Sequence, residues 1–336
     1  MYTGFNLQLD KNACIFWWSR SYKELLMIGE KHLKEQKATY ERDLEKYVTG
    51  KEIDGTKIQN EWFPQIEADI FISHSRADEE LACVLAGWLY INFGLKCFID
   101  SNVWGYAGEL LDNMNADLSD RKSYGENGYL YDYQSCNEVS QHVNAMLSIA
   151  LQKMIDKVEA VILLNTDNSI QVYNDSQMNK TYSPWIYSEI ICTQIVRKKP
   201  LFMYRNYISK RFSFDTLYES TQFIMHNAIS YTVSLNHLKP LKENDLSKWE
   251  DEYINNRQRY EYALDALYKF ICPDEVRNTK DMFAVLKEDE LGTLKHAYST
   301  QDIEERENVE NVLSKIIRRC MPCCVDCDNR GRMFKG

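Results

Sequence analysis

From Ile66 onward the chain alternates short apolar runs with segments of helical composition, and this alternation constrains the fold more than any other feature. ADIFIS, LKCFID, AVILLN, PLFMY and ISYTVSL read as strands, while Asp78 to Phe93, Val139 to Lys157 and Pro184 to Lys198 read as helices. Strands that are apolar throughout are covered on both faces, and consecutive parallel strands need a crossover long enough to hold a helix. The spacing therefore predicts a doubly wound α/β domain on five parallel strands.

Flanking this region are two segments of different character. From Tyr22 to Val48, apolar residues recur at mixed three and four spacing among Glu and Lys, which predicts one long amphipathic helix. It serves as a brace across the core or as an oligomerisation element, and GKEIDGTKIQ breaks it. After Pro240 the composition turns helical again through WEDEYINNRQRYEYALDALYKFI, and a further helix is expected from Asp302 to Met321. The expected organisation is a helical extension over 1–65, the α/β domain over 66–240, and a helical extension with a Cys-rich tail over 241–336. The connection SNVWGYAGELLDNMNADLSDRKSYGENGYLYDYQSCNE is long for a compact domain, and such connections usually carry function or are disordered.

Composition removes several classes of activity. With 40 Lys and Arg against 50 Asp and Glu, the net charge of -10 repels polyanions, so nucleic acid is not an expected partner. No run approaches the roughly 18 apolar residues of a membrane helix, and the apolar stretch near the N-terminus is too short for an export signal. Cys14, Cys83, Cys97, Cys136, Cys192 and Cys272 lie mostly in apolar segments, which points to buried thiols and a reducing cytoplasm. In the tail CMPCCVDC, Cys320, Cys323, Cys324 and Cys327 form two abutting Cys-x-x-Cys pairs, too close for the chain to wrap a zinc ion easily. No HExxH occurs, and no metal is expected.

Two constellations carry chemistry. The turn after the first strand reads Ser73-His74-Ser75-Arg76, without the glycines of a dinucleotide fingerprint, and no Walker A sequence occurs. In SPWIYSEI, Ser183 is a fitting N-cap and Pro184 suits the first helical turn. Trp185 and Glu189 are four apart and share one face near the helix start. Ligands of open α/β sheets collect outside the carboxyl ends of the strands, so Glu189 is a candidate to face the same cleft as the Ser-His-Ser-Arg turn. The competing reading makes Trp185 core and Glu189 a solvated helix residue. For His74 a half-buried, backbone-bonded role stands beside a pocket role, and for Arg76 a surface ion pair does.

DIFISHSRADEELA, GLKCFIDSNVWG, HVNAMLSIALQKMIDKVEAVILLN, SPWIYSEI and RKKPLFMY, in that order, resemble a TIR (Toll/interleukin-1 receptor) domain over roughly Ile66 to Leu238. The resemblance is to a bacterial subset whose long connection carries WGYA and a Tyr-Asp-Tyr element. It implies a flavodoxin-like five-stranded sheet, cleavage of NAD as substrate with no separate cofactor, and Glu189 as the catalytic carboxylate. It further implies a substrate pocket lined by Ser73, His74, Ser75, Arg76, Asp100, Ser101, Trp104 and Trp185. Partners implied are a second copy of the chain, through TIR surfaces, and a separate effector reached through an ADP-ribose-derived messenger, as in antiphage defence of the Thoeris type.

One glutamate is chemically sufficient for that reaction. Ordinary glycoside hydrolysis needs a general acid because an alkoxide leaves badly. Nicotinamide departs from NAD as a neutral base, so what remains is to stabilise the cation developing on the ribose, which a carboxylate can do. Water as acceptor gives ADP-ribose, whereas closure of a lid bearing Tyr124, Tyr129, Tyr131 and Tyr133 would favour cyclisation. Two other classes stay open: a TIR interaction module without catalysis, and a different N-glycosidase on a related fold.

Overall fold

The computed structural model describes residues 1–9, 21–36, 45–49, 52–104, 107–119, 121–124, 128–173, 178–199, 201–204 and 230–271. The chain divides into two compact units, Met1–Lys199 with Asp215–Ile271, and Pro200–Phe214 with Cys272–Gly336. Of the second unit, the described residues form the 3-10 turn Leu201–Tyr204. The expected helix from Asp302 to Met321 and the four tail cysteines lie outside the described residues.

The first unit is built on a sheet of five strands, β1 (Thr3–Gln8), β2 (Ile70–Ser73), β3 (Cys97–Phe98), β4 (Ala160–Asn165) and β5 (Lys239–Lys242). All neighbours are parallel, in the order β5-β1-β4-β2-β3. Every residue of β2, and all of β4 except Asn165, is buried, as the interior strands of a doubly wound sheet require. Counted from β2, the first three strands take the flavodoxin-like order, and β1 and β5 fill the remaining two places.

Those last two places correct the expectations from sequence. Composition offers PLFMY for the fourth, yet Leu201–Tyr204 is a 3-10 turn and the place is held by TGFNLQ, from the segment expected as a helical extension. TGFNLQ shows no apolar run, but Phe5 and Leu7 alternate on one side and are fully buried. Gly4 leaves room for Leu238 Cδ2, which a Cβ would meet at 2.6 Å. For the fifth place composition offers ISYTVSL; Tyr231–Val233 is a strand, but of a separate antiparallel sheet with Gln171–Tyr173 and Met178–Thr181. The fifth strand is KPLK, whose Pro240 is admissible because, among the described residues, β5 is an edge strand bonded to β1 alone.

The helices are α1 (Tyr22–Glu35), α2 (Gly55–Trp62), α3 (Glu79–Phe93), α4 (Ala107–Leu118), α5 (Tyr133–Lys157), α6 (Pro184–Ile195), α7 (Glu243–Asn255) and α8 (Ala263–Ile271). α3 stops at Gly94, whose φ of 68° is the left-handed C-cap that glycine adopts without strain. α1 ends at Glu35 instead of continuing to Val48. Gln36 caps it and sends its side-chain amide to the Cys97 carbonyl at 3.3 Å, and Val48–Thr49 pairs with Glu52–Ile53 as a small hairpin. α1 packs on α3 through two glycines: a Cβ on Gly29 would lie 1.9 Å from the Cys83 carbonyl oxygen, and one on Gly87 would lie 2.0 Å from that of Leu25. The two backbones are thus in direct contact. α7 joins the same layer through Trp249, whose ring stacks on Phe93 at 4.1 Å and meets Trp88 edge-on at 5.8 Å.

The long connection after β3 is largely regular. It holds a short helical turn (Asp100–Val103), then α4, then an antiparallel hairpin pairing Arg121–Tyr124 with Gly128–Tyr131. α4 packs against α5. Among the described residues no helix is long and apolar enough to cross a membrane.

Candidate active site

β2 and β4 are adjacent, and the chain leaves them in opposite directions, toward β3 from one and toward β5 from the other. Their carboxyl ends therefore bracket the topological switch point, where open α/β sheets form a crevice. The turn after β2 begins at Ser73; the segment after β4 leads through the small antiparallel sheet into α6.

α6 is placed by its sequence. Ser183 accepts a hydrogen bond from the Ile186 amide at 3.2 Å and Pro184 occupies the first turn, where no amide donor is missed. Ile186, Glu189, Ile190 and Thr193 then fall on one buried face, with Ile186 and Ile190 in a cluster with Leu163, Ile170, Val233, Leu235 and Leu238. Tyr187 stacks on Tyr231 at 4.5 Å, fixing the rotation of the helix.

A carboxylate on that face is anomalous, because Glu is almost never fully buried unless paired. Glu189 is 5% exposed, and the Ser73 hydroxyl donates to its Oε2 at 2.5 Å, from a residue 116 positions away. The pairing register puts a third group alongside. Phe71 lies opposite Phe98, so Ser73 and Asp100, each two residues further on, leave neighbouring strands at the same level. Burial, then the nearby Asp100 carboxylate, push the Glu189 carboxyl well above the usual carboxylate range, while the Ser73 hydroxyl acts in the opposite direction. A buried acid of this kind, beside a second carboxylate at a strand end, is the arrangement that active sites use to tune protonation.

The remaining candidates separate. Ser75 is buried, but its hydroxyl donates to Asp78 Oδ2 at 2.6 Å. His74 is half-buried, and Arg76 is exposed on the 3-10 turn Arg76–Asp78. Ser101 is exposed and donates to Glu79 Oε1 at 3.1 Å. Trp104 is a core residue, not a pocket wall: it is 3% exposed, packs edge-on to Phe98 and Phe63, and gives its indole N–H to the Pro64 carbonyl at 2.9 Å. Trp185 is half-buried, one turn before Glu189. Tyr131 and Tyr133 are exposed, as is Leu130.

Three residues that the sequence reading passed over belong to this edge of the sheet. Asp78 is 7% exposed and accepts from the Thr166 hydroxyl at 2.5 Å and from Asn168 Nδ2 at 2.8 Å, besides Ser75. The signal was present in Thr-Asp-Asn-Ser directly after AVILLN, a run of turn formers at the end of a strand. Among the described residues no group of three or more His, Cys, Asp or Glu is placed to hold a metal ion.

No family model, curated protein or solved structure matches the chain.

Proposed function

We propose that the chain is a TIR-type NAD glycohydrolase or ADP-ribosyl cyclase, with Glu189 as the catalytic carboxylate. The observation that carries this reading is the Glu189 side chain itself, buried at the switch point and held by the Ser73 hydroxyl from the end of the adjacent strand element. Glu189 has the Ser73 hydroxyl as its side-chain donor, and a bound cation would repay the rest of its desolvation. A pyridinium nucleotide does so: its positive charge favours the ionised form, and the cation forming on its ribose is stabilised by that carboxylate more strongly than the ground state is. No proton donor is needed for the leaving group, since nicotinamide leaves neutral.

In this reading Ser73 orients Glu189, and Asp100 approaches it from the helical turn that follows β3. Trp185, one turn from Glu189, shields the carboxylate and offers a flat surface to a ring. The exposed Leu130, Tyr131 and Tyr133 of the insertion supply a surface for self-association or for closure over the substrate. The product then acts on a separate effector.

The test is incubation of purified protein with NAD and, separately, with nucleosides, with products identified by mass spectrometry. Glu189→Gln is expected to retain the fold and lose at least about 10²-fold in turnover, the scale of removing one preorganised electrostatic group. Wild-type turnover by a folded Glu189→Gln protein refutes the assignment, and consumption of nucleosides in preference to NAD points to the other N-glycosidase class.

A further inference from the structure

Asp78 occupies the N-cap position of α3, yet its side chain makes no hydrogen bond to the helix amides. Capping by an Asp is ordinarily worth about 1 kcal/mol, so the side chain forgoes a local gain. It turns instead to three side-chain donors: Ser75 Oγ at 2.6 Å, Thr166 Oγ1 at 2.5 Å and Asn168 Nδ2 at 2.8 Å. Ser75 belongs to the turn after β2, and Thr166 and Asn168 to the turn after β4.

The second turn is itself stiff. The Thr166 amide donates to Ser169 Oγ at 2.9 Å, Ser169 Oγ donates to the Leu164 carbonyl at 2.8 Å, and the Asn168 amide donates to Thr166 Oγ1 at 3.2 Å. A rigid turn on β4 is thus fastened by one buried carboxylate to the turn on β2. Ser75 lies two residues beyond Ser73, the residue that holds Glu189.

We propose that Asp78 is a positioning residue of the site: by tying together the two turns that flank the switch point, it sets the width of the crevice in which the pyridinium nucleotide binds. This rests on the reading of Glu189 given above. Asp78 touches no reacting atom in this scheme; it acts through Ser75 on the turn that presents Ser73. Charge-assisted hydrogen bonds in a buried network are short and resist distortion, which suits them to holding two loops at a fixed spacing.

The experiment compares the wild-type chain with Asp78→Asn, Thr166→Val, Thr166→Ser and Glu189→Gln, measuring kcat and KM for NAD, ADP-ribose affinity by calorimetry, and the thermal midpoint of each. Thr166→Val and Asp78→Asn are expected to raise KM and weaken ADP-ribose binding, with kcat/KM down by roughly 10- to 10²-fold, the effect of misplacing positioning groups by about 1 Å. Thr166→Ser, which keeps the hydroxyl, is expected to restore most of it. If Glu189→Gln abolishes turnover while Thr166→Val and Asp78→Asn lower only the thermal midpoint, with kinetic constants per folded molecule unchanged, Asp78 is merely structural and this inference falls alone. A wild-type chain that neither consumes NAD nor binds ADP-ribose overturns both readings.

Discussion

The contact between α1 and α3 makes a sharp claim about one atom. Gly87→Ala adds a Cβ that would lie 2.0 Å from the Leu25 carbonyl oxygen and 2.9 Å from the Gly29 amide nitrogen, whereas ordinary contact begins at 3.4 Å. Both obstacles are backbone in the middle of helices, so no rotamer change relieves them, and α1 has to retreat by about 1.4 Å from the carbonyl alone. A gap of about 0.5–1 Å already forfeits roughly a quarter to a half of each dispersion contact across the interface. Overpacking costs about 1–3 kcal/mol and stands here at the upper end; alanine's better helix propensity returns about 1 kcal/mol. The expected net loss is about 2 kcal/mol, measured as the drop in unfolding free energy from urea titration at unchanged slope. Gly55→Ala is the control, because its Cβ would meet only the terminal methyl of Met146, at 3.1 Å, which can swing aside. Equal stability of Gly87→Ala and Gly55→Ala would show that the helices do not touch as described.

Three further outcomes follow from the site and its surroundings. Because burial and Asp100 raise the Glu189 carboxyl while the ionised form is the active one, kcat/KM for NAD should fall as pH falls, with a midpoint above the ordinary carboxylate value; Ser73→Ala removes the group acting downward and should move that midpoint higher. The same raised value means the native state binds more protons than the unfolded chain, so this contribution to stability is complete below the unfolded value and is lost as pH rises through the folded one. Thermal scans should therefore show Glu189→Gln gaining on the wild type as pH increases. Trp104→Phe should lower stability by about 1–3 kcal/mol, leaving the Pro64 carbonyl without its donor, while kcat/KM per folded molecule stays within about threefold.

The three strands legible in advance, IFIS, CF and AVILLN, are those whose residues are apolar on both faces and needed no partner to be recognised. TGFNLQ and KPLK were opaque for a shared reason: one offers two large apolar side chains and the other one, and both owe their strand character to neighbours distant in sequence. PLFMY and ISYTVSL look better on composition, which cannot report competition among segments for one place in a sheet. At the site, the spacing of Trp185 and Glu189 places the glutamate on a helix near its start, but its surroundings depend on Ser73, at the end of β2, and Asp100, just beyond β3. Asp78 escaped because at an N-cap position the expected partner is its own helix, and here two of its three partners, Thr166 and Asn168, lie on the turn after β4.

The place of β1 has a consequence for synthesis. Thr3 is bonded alongside Ala160, and Phe5 alongside Lys239, so β1 is synthesised about 157 residues ahead of one neighbour and about 234 ahead of the other. At about 5–20 residues per second that is a wait of roughly 10–50 seconds, with Phe5 and Leu7 unshielded. Loop closure over such spans makes these pairings slow as well as late. Ser73 and Glu189 both precede β5 in the chain, so they can meet while β1 still lacks its outer neighbour.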